Sequence, residues 1–214
     1  MAQRLSLMQS QNTQLYTELF PAIGMLVYNW GDAEDPSIFA DQRVRRGLQL
    51  ALSRNGSVER ALTAQALLSN SPVLASSWAY DPTLTWPQTD STAATELLQR
   101  LDRLTQTSSE ESEATENSAE PIEFSILVPE VAALTSIAQE FAAQWSGFDL
   151  NVSVETVALD VHQARIEASE FDVALVELPL NADPDIYAYW HVSQYRDGRN
   201  YGGMADDRIS ELLG

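Results

Sequence analysis

Apolar and polar positions alternate along this chain with two periods, and the change from one to the other marks its elements. Ile122, Phe124, Ile126 and Val128 recur every second residue among Glu123, Ser125 and Leu127, the period of a strand. Leu134, Ile137, Ala138, Phe141 and Trp145 follow at helical spacing, with Gly147 as the expected C-cap. Leu150, Val152 and Val154 alternate with Asn151, Ser153 and Glu155 as a second strand. Asp160 to Ala168 reads as a short helix, and Phe171 to Val176 as a third strand. Within that strand, Val173-Ala174-Leu175-Val176 is apolar at every position, as in a strand buried on both faces. Strands and helices alternating across short links predict right-handed crossovers and an α/β fold with a mainly parallel, helix-covered sheet.

The pattern before Ile122 is less regular. Residues 1–20 are polar and Gln-rich, read as a helix or a loose lead-in. Ile23 to Asn29 reads as a strand closed by Trp30-Gly31-Asp32. Asp41 is the expected N-cap of a helix built on Val44, Leu48, Ala51 and Leu52. Asn55-Gly56 is the expected stop, and Ser57 the cap of a second helix through Val58, Ala61 and Leu62. Arg43, Arg45 and Arg46 fall on the polar face, read as solvated because nothing Gly-rich accompanies them to suggest an anion site.

Residues 69–90 form a connection with Pro72, Pro82 and Pro87 and three rings, Trp78, Tyr80 and Trp86. Connections of that length without regular structure are often functional. Asp90 or Ser91 then starts a helix with Ala94, Leu97, Leu98, Leu101 and Leu104 on one stripe. The acidic stretch over 106–120 carries five glutamates and nothing apolar larger than Ala, so it reads as a mobile surface insertion.

Asp183 to Gly203 crowds Tyr187, Tyr189, Trp190 and Tyr195 between Asp-Pro-Asp and Gly-Arg-Asn-Tyr-Gly-Gly. Rings mixed with turn residues just past a strand suit either the wall of a cleft or a capped helix with aromatic packing. Asp206 to Leu213 reads as a final helix.

Charge and chemistry narrow the functions. The chain of 214 residues has 12 basic and 31 acidic side chains, a formal charge of −19. That field repels phosphate backbones and anionic headgroups, so nucleic acid is an unfavourable partner. With no cysteine there are no disulfides, thiol nucleophiles or Cys-ligated metals. No apolar run reaches the ~18–20 residues that span a bilayer, so direct membrane insertion is not expected. His162 and His191 stand alone without ligand spacing, and no metal or cofactor is expected. No GxSxG, GxxxxGK[ST] or GxGxxG occurs. The carboxylate pairs Asp183/Asp185 and Asp206/Asp207 could serve a hydrolase, but both stand at helix starts, where carboxylates cap. No enzyme is expected.

Three segments resemble one family in its order. Phe39 to Asn55, FADQRVRRGLQLALSRN, is similar to the "F-D-x-R-V-R-x-A-L-x-x-A-I-D-R" helix of the family 5 extracellular solute-binding proteins, with Gly47 and Ser53 in place of its Ala and Asp. Ser76 to Pro82, SSWAYDP, resembles the segment before that family's "K-A-x-x-L-L" helix, matched by Ala94 to Leu98. Asp183 to Leu213 resembles its long "D-P-D-x-Y-x-x-W-H-S-S-Q…N-Y-x-G-Y-x-N-x-x-x-D-x-L-L" run.

The resemblance implies a type II periplasmic-binding-protein-like lobe. Residues 1–214 would be the carboxy-terminal lobe of a two-lobed protein, truncated at both ends, with 106–120 an insertion. Its implied work is capture of a peptide-like or other small solute for the membrane permease of an ABC importer, by closure of two lobes. The place would be periplasmic or extracellular, often through a lipid anchor on a preceding segment. A ligand-sensing receptor lobe is the alternative. In peptide-binding members the strand matching Val173 to Leu178 lends its backbone to the ligand, so Val176, Glu177, Leu178, Leu180, Asn181, Trp78 and Tyr80 are the expected ligand contacts. Leu180 stands where an aspartate commonly pairs with the ligand's amine, and Glu177 where a Trp is common. A leucine cannot pair with an ammonium group, which implies a different anchor or a solute without a free amine.

Overall fold

The computed structural model describes residues 22–62, 66–98, 122–179 and 183–214. The amino-terminal lead-in, the acidic 106–120 stretch, Leu101, Leu104, Leu180 and Asn181 lie outside the described residues. Strands β1 (Ala22–Tyr28), β2 (Glu123–Pro129), β3 (Asn151–Val157) and β4 (Val173–Pro179) form one sheet in the order β1-β4-β2-β3. β2 runs parallel to both β3 and β4, while β1 joins β4 antiparallel as an edge. The sheet is therefore mainly parallel, as the alternating strands and helices predict.

Helices α1 (Gln42–Ala51), α2 (Arg54–Leu62), α3 (residues 91–98), α4 (Ala132–Trp145) and α5 (Leu159–Glu167) surround it, and short α6 (Tyr187–Trp190) and α7 (Asp207–Leu213) follow. Alternate strand residues divide between two cores. Phe124, Ile126, Val128, Val173 and Leu175 pack with α1, α3 and α4 around Trp145. Leu127, Ala174, Val176 and Leu178 pack on the other face with Ile166, Phe171, Tyr189, Trp190 and Tyr201. Because β4 feeds both cores, Val173 to Val176 is buried at every position.

The carboxyl end of α1 ties the first core together. Asp41 caps its start, accepting from the Arg43 amide at 2.7 Å. The helix stops at Ala51, not at Asn55-Gly56. The Leu52 amide bonds back to the Gln49 carbonyl, and the Ser53 amide donates to Gln144 Oε1 at 2.7 Å. A tertiary partner thus ends the helix before the local signal, and Gly56 lies inside α2. Ser57 is not a cap either. It is fully buried in α2, donating to the Ser53 carbonyl and accepting from Gln144 Nε2.

The same stop leaves the Leu48 carbonyl without a helical donor, and the buried Trp145 indole supplies one at 2.9 Å. The carbonyls of Leu50 and Leu52 accept from the Asp90 amide and the Thr89 hydroxyl, which seat the end of the long connection. At the end of α4 the left-handed residue is Asp149, φ 59°, and not Gly147, which sits within a 3-10 turn over Ser146–Phe148. Arg45 departs from the solvated-face reading. Its guanidinium lies 3.8 Å over the Trp30 ring and donates to the carbonyls of Phe39 and Ala40.

His162, 6% exposed, is buried beside the second core, and its Nε2 has no hydrogen-bond partner among the described residues. Burial pushes its pKa below the ordinary value. The Leu175 carbonyl works the other way, and Arg165 adds to the depression.

Two predictions follow from these buried groups. Trp145→Phe keeps a ring but orphans the Leu48 carbonyl and leaves a void, so it should cost about 2–4 kcal/mol in urea unfolding; a change under about 0.5 kcal/mol would contradict the bond's role. For His162, the unfolded chain takes up a proton near pH 6.5 and the folded chain only at lower pH. Stability should fall as pH drops below about 6.5, by at most ~1.4 kcal/mol per pH unit from this group. Urea midpoints at pH 7.5 and 5.5 should therefore differ more for the unaltered chain than for His162→Gln.

Candidate functional site

Among the described residues, β4 is paired on one side along its whole length and on the other only at its start. β1 follows it from Val173 to Pro179, whereas β2 meets it only at Val173 and Ala174. β2 then continues with β3 to Pro129↔Val157. From Leu175 to Pro179, no described strand lies along the edge of β4 that faces β2. Backbone N–H and C=O groups on such an edge can pair with an added extended segment.

This open stretch lies at the carboxyl end of the parallel strands, where ligands of open α/β sheets bind. Pro72, Val73, Leu74 and Ser77 of the long connection approach Leu178 and Pro179 there, with Asp183–Ile186, Tyr189 and Trp190 beside them. The pocket between them measures about 30 Å³, room for little more than a water. A drug-sized solute needs ~300–1,000 Å³, so these residues form a wall and not an enclosure. A broader hollow of about 420 Å³, lined by Glu123, Phe124, Ser125, Asn151, Ser153 and Asp172, opens at the amino ends of β2 and β3. Its Asp172 is already committed to the Ser125 amide and hydroxyl, both at 2.8 Å. It lies at the wrong end of the strands, and the 30 Å³ pocket is the better candidate.

The aromatic segment is built to stay in place. Asp185 Oδ1 accepts from the Tyr187 amide at 2.9 Å; Asp206 Oδ1 does the same for the Ile209 amide in α7. Asp206 is thus the cap of α7, while Asp185 closes a turn just before α6, whose N-cap is Ile186. Tyr187 stacks on His191 with centroids 4.3 Å apart, and His191 Nδ1 accepts from the Ser193 amide at 3.1 Å. Asn200, 2% exposed, donates to the carbonyls of Met204 and His191 and accepts from the Met204 amide. Gly202 passes so close to β1 that a Cβ there would sit 2.5 Å from the Tyr28 carbonyl oxygen, and Gly203 has φ 66°. At the far end, Arg196 and Tyr195 hold Asp32 below the ordinary carboxylate range, through bonds of 2.8 and 3.0 Å.

The expected contacts fall into three groups. Val176 and Leu178 bury their side chains in the second core, at 4% and 6% exposure, so they offer only backbone. Glu177 is the exposed acid of β4, on the face opposite theirs. Trp78 stands 87% exposed beside the rim residue Ser77, and half-buried Tyr80 does not line the pocket. Leu180 and Asn181 fall outside the described residues. Sequence reasoning missed Pro72, Val73, Leu74 and Ile186. The signal for the first three was a proline opening a short apolar run, Pro72-Val73-Leu74, between serines.

Among the described residues, no three histidines, aspartates or glutamates converge as metal ligands, and no helix is long and apolar enough to cross a membrane. No curated protein sequence matches the chain. Solved structures do match. The chain is similar to DppA of Helicobacter pylori, an ABC transporter-associated periplasmic binding protein in complex with the peptide STSA, with TM-score 0.80 and 16% identity. It is similar to NikZ of Campylobacter jejuni in complex with Ni(L-His), at 0.77 and 18%, and to the oligopeptide-binding protein AppA of Bacillus subtilis in complex with a nonapeptide, at 0.75 and 19%. The alignments cover 99%, 99% and 92% of this chain but only 38%, 42% and 38% of those chains. The fold is that of the type II periplasmic binding proteins. The family model for bacterial extracellular solute-binding proteins, family 5 Middle, matches residues 2–199. The chain belongs to the family 5 bacterial extracellular solute-binding proteins.

Proposed function

We propose that this chain is one lobe of a two-lobed protein that captures a peptide-like or other small solute for an ABC importer, in the periplasm or outside the cell. The observation that carries the reading is the one-sided pairing of β4 from Leu175 to Pro179, open at the carboxyl end of the parallel strands. A solute laid along that edge gains main-chain hydrogen bonds from this lobe. The 30 Å³ pocket beside it leaves the rest of the solute for a facing wall. Closure then follows because the closed form alone lets the solute touch both walls. The work is binding without turnover, since Asp183, Asp185 and Asp206 serve as backbone acceptors at turns and helix starts.

The chemistry of this wall favours a solute that brings donors or positive charge. Glu177 is exposed on the open strand, and Asp183 and Asp185 line the pocket. The arginine beside the pocket residue Tyr189 is engaged: Arg199 donates to the Tyr189 hydroxyl at 3.0 Å. With leucine at position 180, Glu177 is the carboxylate left on this stretch to meet an amine.

Native mass spectrometry of the full-length protein should reveal a co-purified solute, and calorimetry should show that the isolated 214 residues bind it far more weakly. Glu177→Gln should weaken that binding about 10- to 100-fold if a charge-assisted bond of ~1.5–3 kcal/mol is lost. Tight binding of ordinary dipeptides by the full-length protein, untouched by Glu177→Gln, would refute this anchoring.

A further inference from the structure

The long connection holds its shape without regular secondary structure, and the reason converges on one side chain. Arg54 is the first residue of α2. Its guanidinium lies 4.1 Å over the Trp86 ring, and its Nη2 donates to the Ser69 carbonyl. Those two partners lie on the outgoing and returning legs of the same connection. Nη1, the third corner of the group, is buried and has no partner among the described residues. Desolvation accordingly lowers the pKa of this guanidinium from its ordinary value.

Other bonds between the legs are sparse. Asn70 Nδ2 donates to the Leu84 carbonyl at 3.2 Å, and the Thr89 hydroxyl anchors the exit to Leu52. Local turns close Ser77 onto Leu74 and Tyr80 onto Ser77. Apolar burial is partial: Pro72, Val73, Leu74 and Tyr80 are half-buried, whereas Leu67, Leu68, Trp78, Leu84 and Trp86 are all exposed by 41% or more. A planar cation that stacks on one leg while donating to the other is a cross-link that an ammonium cannot copy.

We propose that Arg54 is the latch of this connection: a positioning residue that touches no solute but fixes Pro72, Val73, Leu74 and Ser77 against the end of β4. The inference rests on that wall being part of the solute cleft. With Arg54 removed, the legs separate and the wall loses its place, although both cores, which Arg54 does not enter, keep their packing.

The test uses the full-length protein with Arg54→Lys, and Trp86→Leu as a second variant that removes the stacking platform while leaving the guanidinium. Hydrogen exchange resolved by peptide is the first readout. Both variants should raise exchange at the Ser77, Tyr80 and Leu84 amides at least tenfold, with β2, β3 and the urea midpoint unchanged. Unchanged exchange at those amides would overturn the latch. The second readout is affinity for the tetrapeptide Ser-Thr-Ser-Ala, with Trp78→Ala as a control on the rim. A loss of fivefold or more in the latch variants supports positioning. Raised exchange with full affinity overturns positioning, and if Trp78→Ala also leaves affinity intact, the placement of the connection at the cleft fails with it. An unaltered protein that ignores the tetrapeptide counts against the peptide class in the proposed function, and exchange still decides the latch.

Discussion

Everything around the candidate site depends on β4 being buried on both faces from Val173 to Val176 yet, among the described residues, paired on only one side beyond Ala174. Burial fixes where the strand lies, since Val173 and Leu175 reach into one core while Ala174, Val176 and Leu178 reach into the other. The pairing is a separate matter. β2 keeps its register with β3 to the end and leaves β4 after two residues. Two features of the chain favour the split. Pro129, the last residue of β2, has no N–H to give a neighbour, and strands in a sheet diverge as twist accumulates. The outcome is a strand whose side chains are anchored in two cores and whose backbone, among the described residues, still has groups to offer.

The surroundings of that edge are held by bonds that regular structure does not provide. The carboxyl end of α1 gives its spare carbonyls to Trp145, Asp90 and Thr89. The aromatic segment is closed on itself through Asn200 and on β1 through Gly202. Arginine serves the same end repeatedly. Arg45 covers Trp30, Arg54 covers Trp86, and Arg196 reaches Asp32 across the fold. Other arginines join regular elements instead: Arg60 pairs with Glu140 and Arg165 with Glu155.

How much of this could be read from sequence follows from how local each signal is. The parallel β-α-β run from Ile122 to Val176 was legible because period-2 and period-3.6 patterns are properties of short windows, and both cores confirm the residues they point to. The stop of α1 was not legible. Asn55-Gly56 is the stronger local signal, but Gln144, 91 residues away, takes the Ser53 amide first. Asp149 took the left-handed position expected at Gly147 for a reason that spacing alone does not show. The apolar strand 173–176 told which residues would be buried. It could not tell that β2 would depart after Ala174, because strand pairing is a long-range choice that neither partner's pattern encodes. Trp78 was legible as a ring of the connection but not as an exposed one, while Arg54, three residues past the end of α1, carried no local mark of its two partners.

The most direct measurement is hydrogen exchange along β4 in the full-length protein, with and without a solute that native mass spectrometry finds bound to it. The account predicts that solute slows exchange within Leu175 to Pro179, while the amides of β3 at the far side of the sheet stay as they were. Solute bound with no added protection anywhere between Leu175 and Pro179 would contradict it.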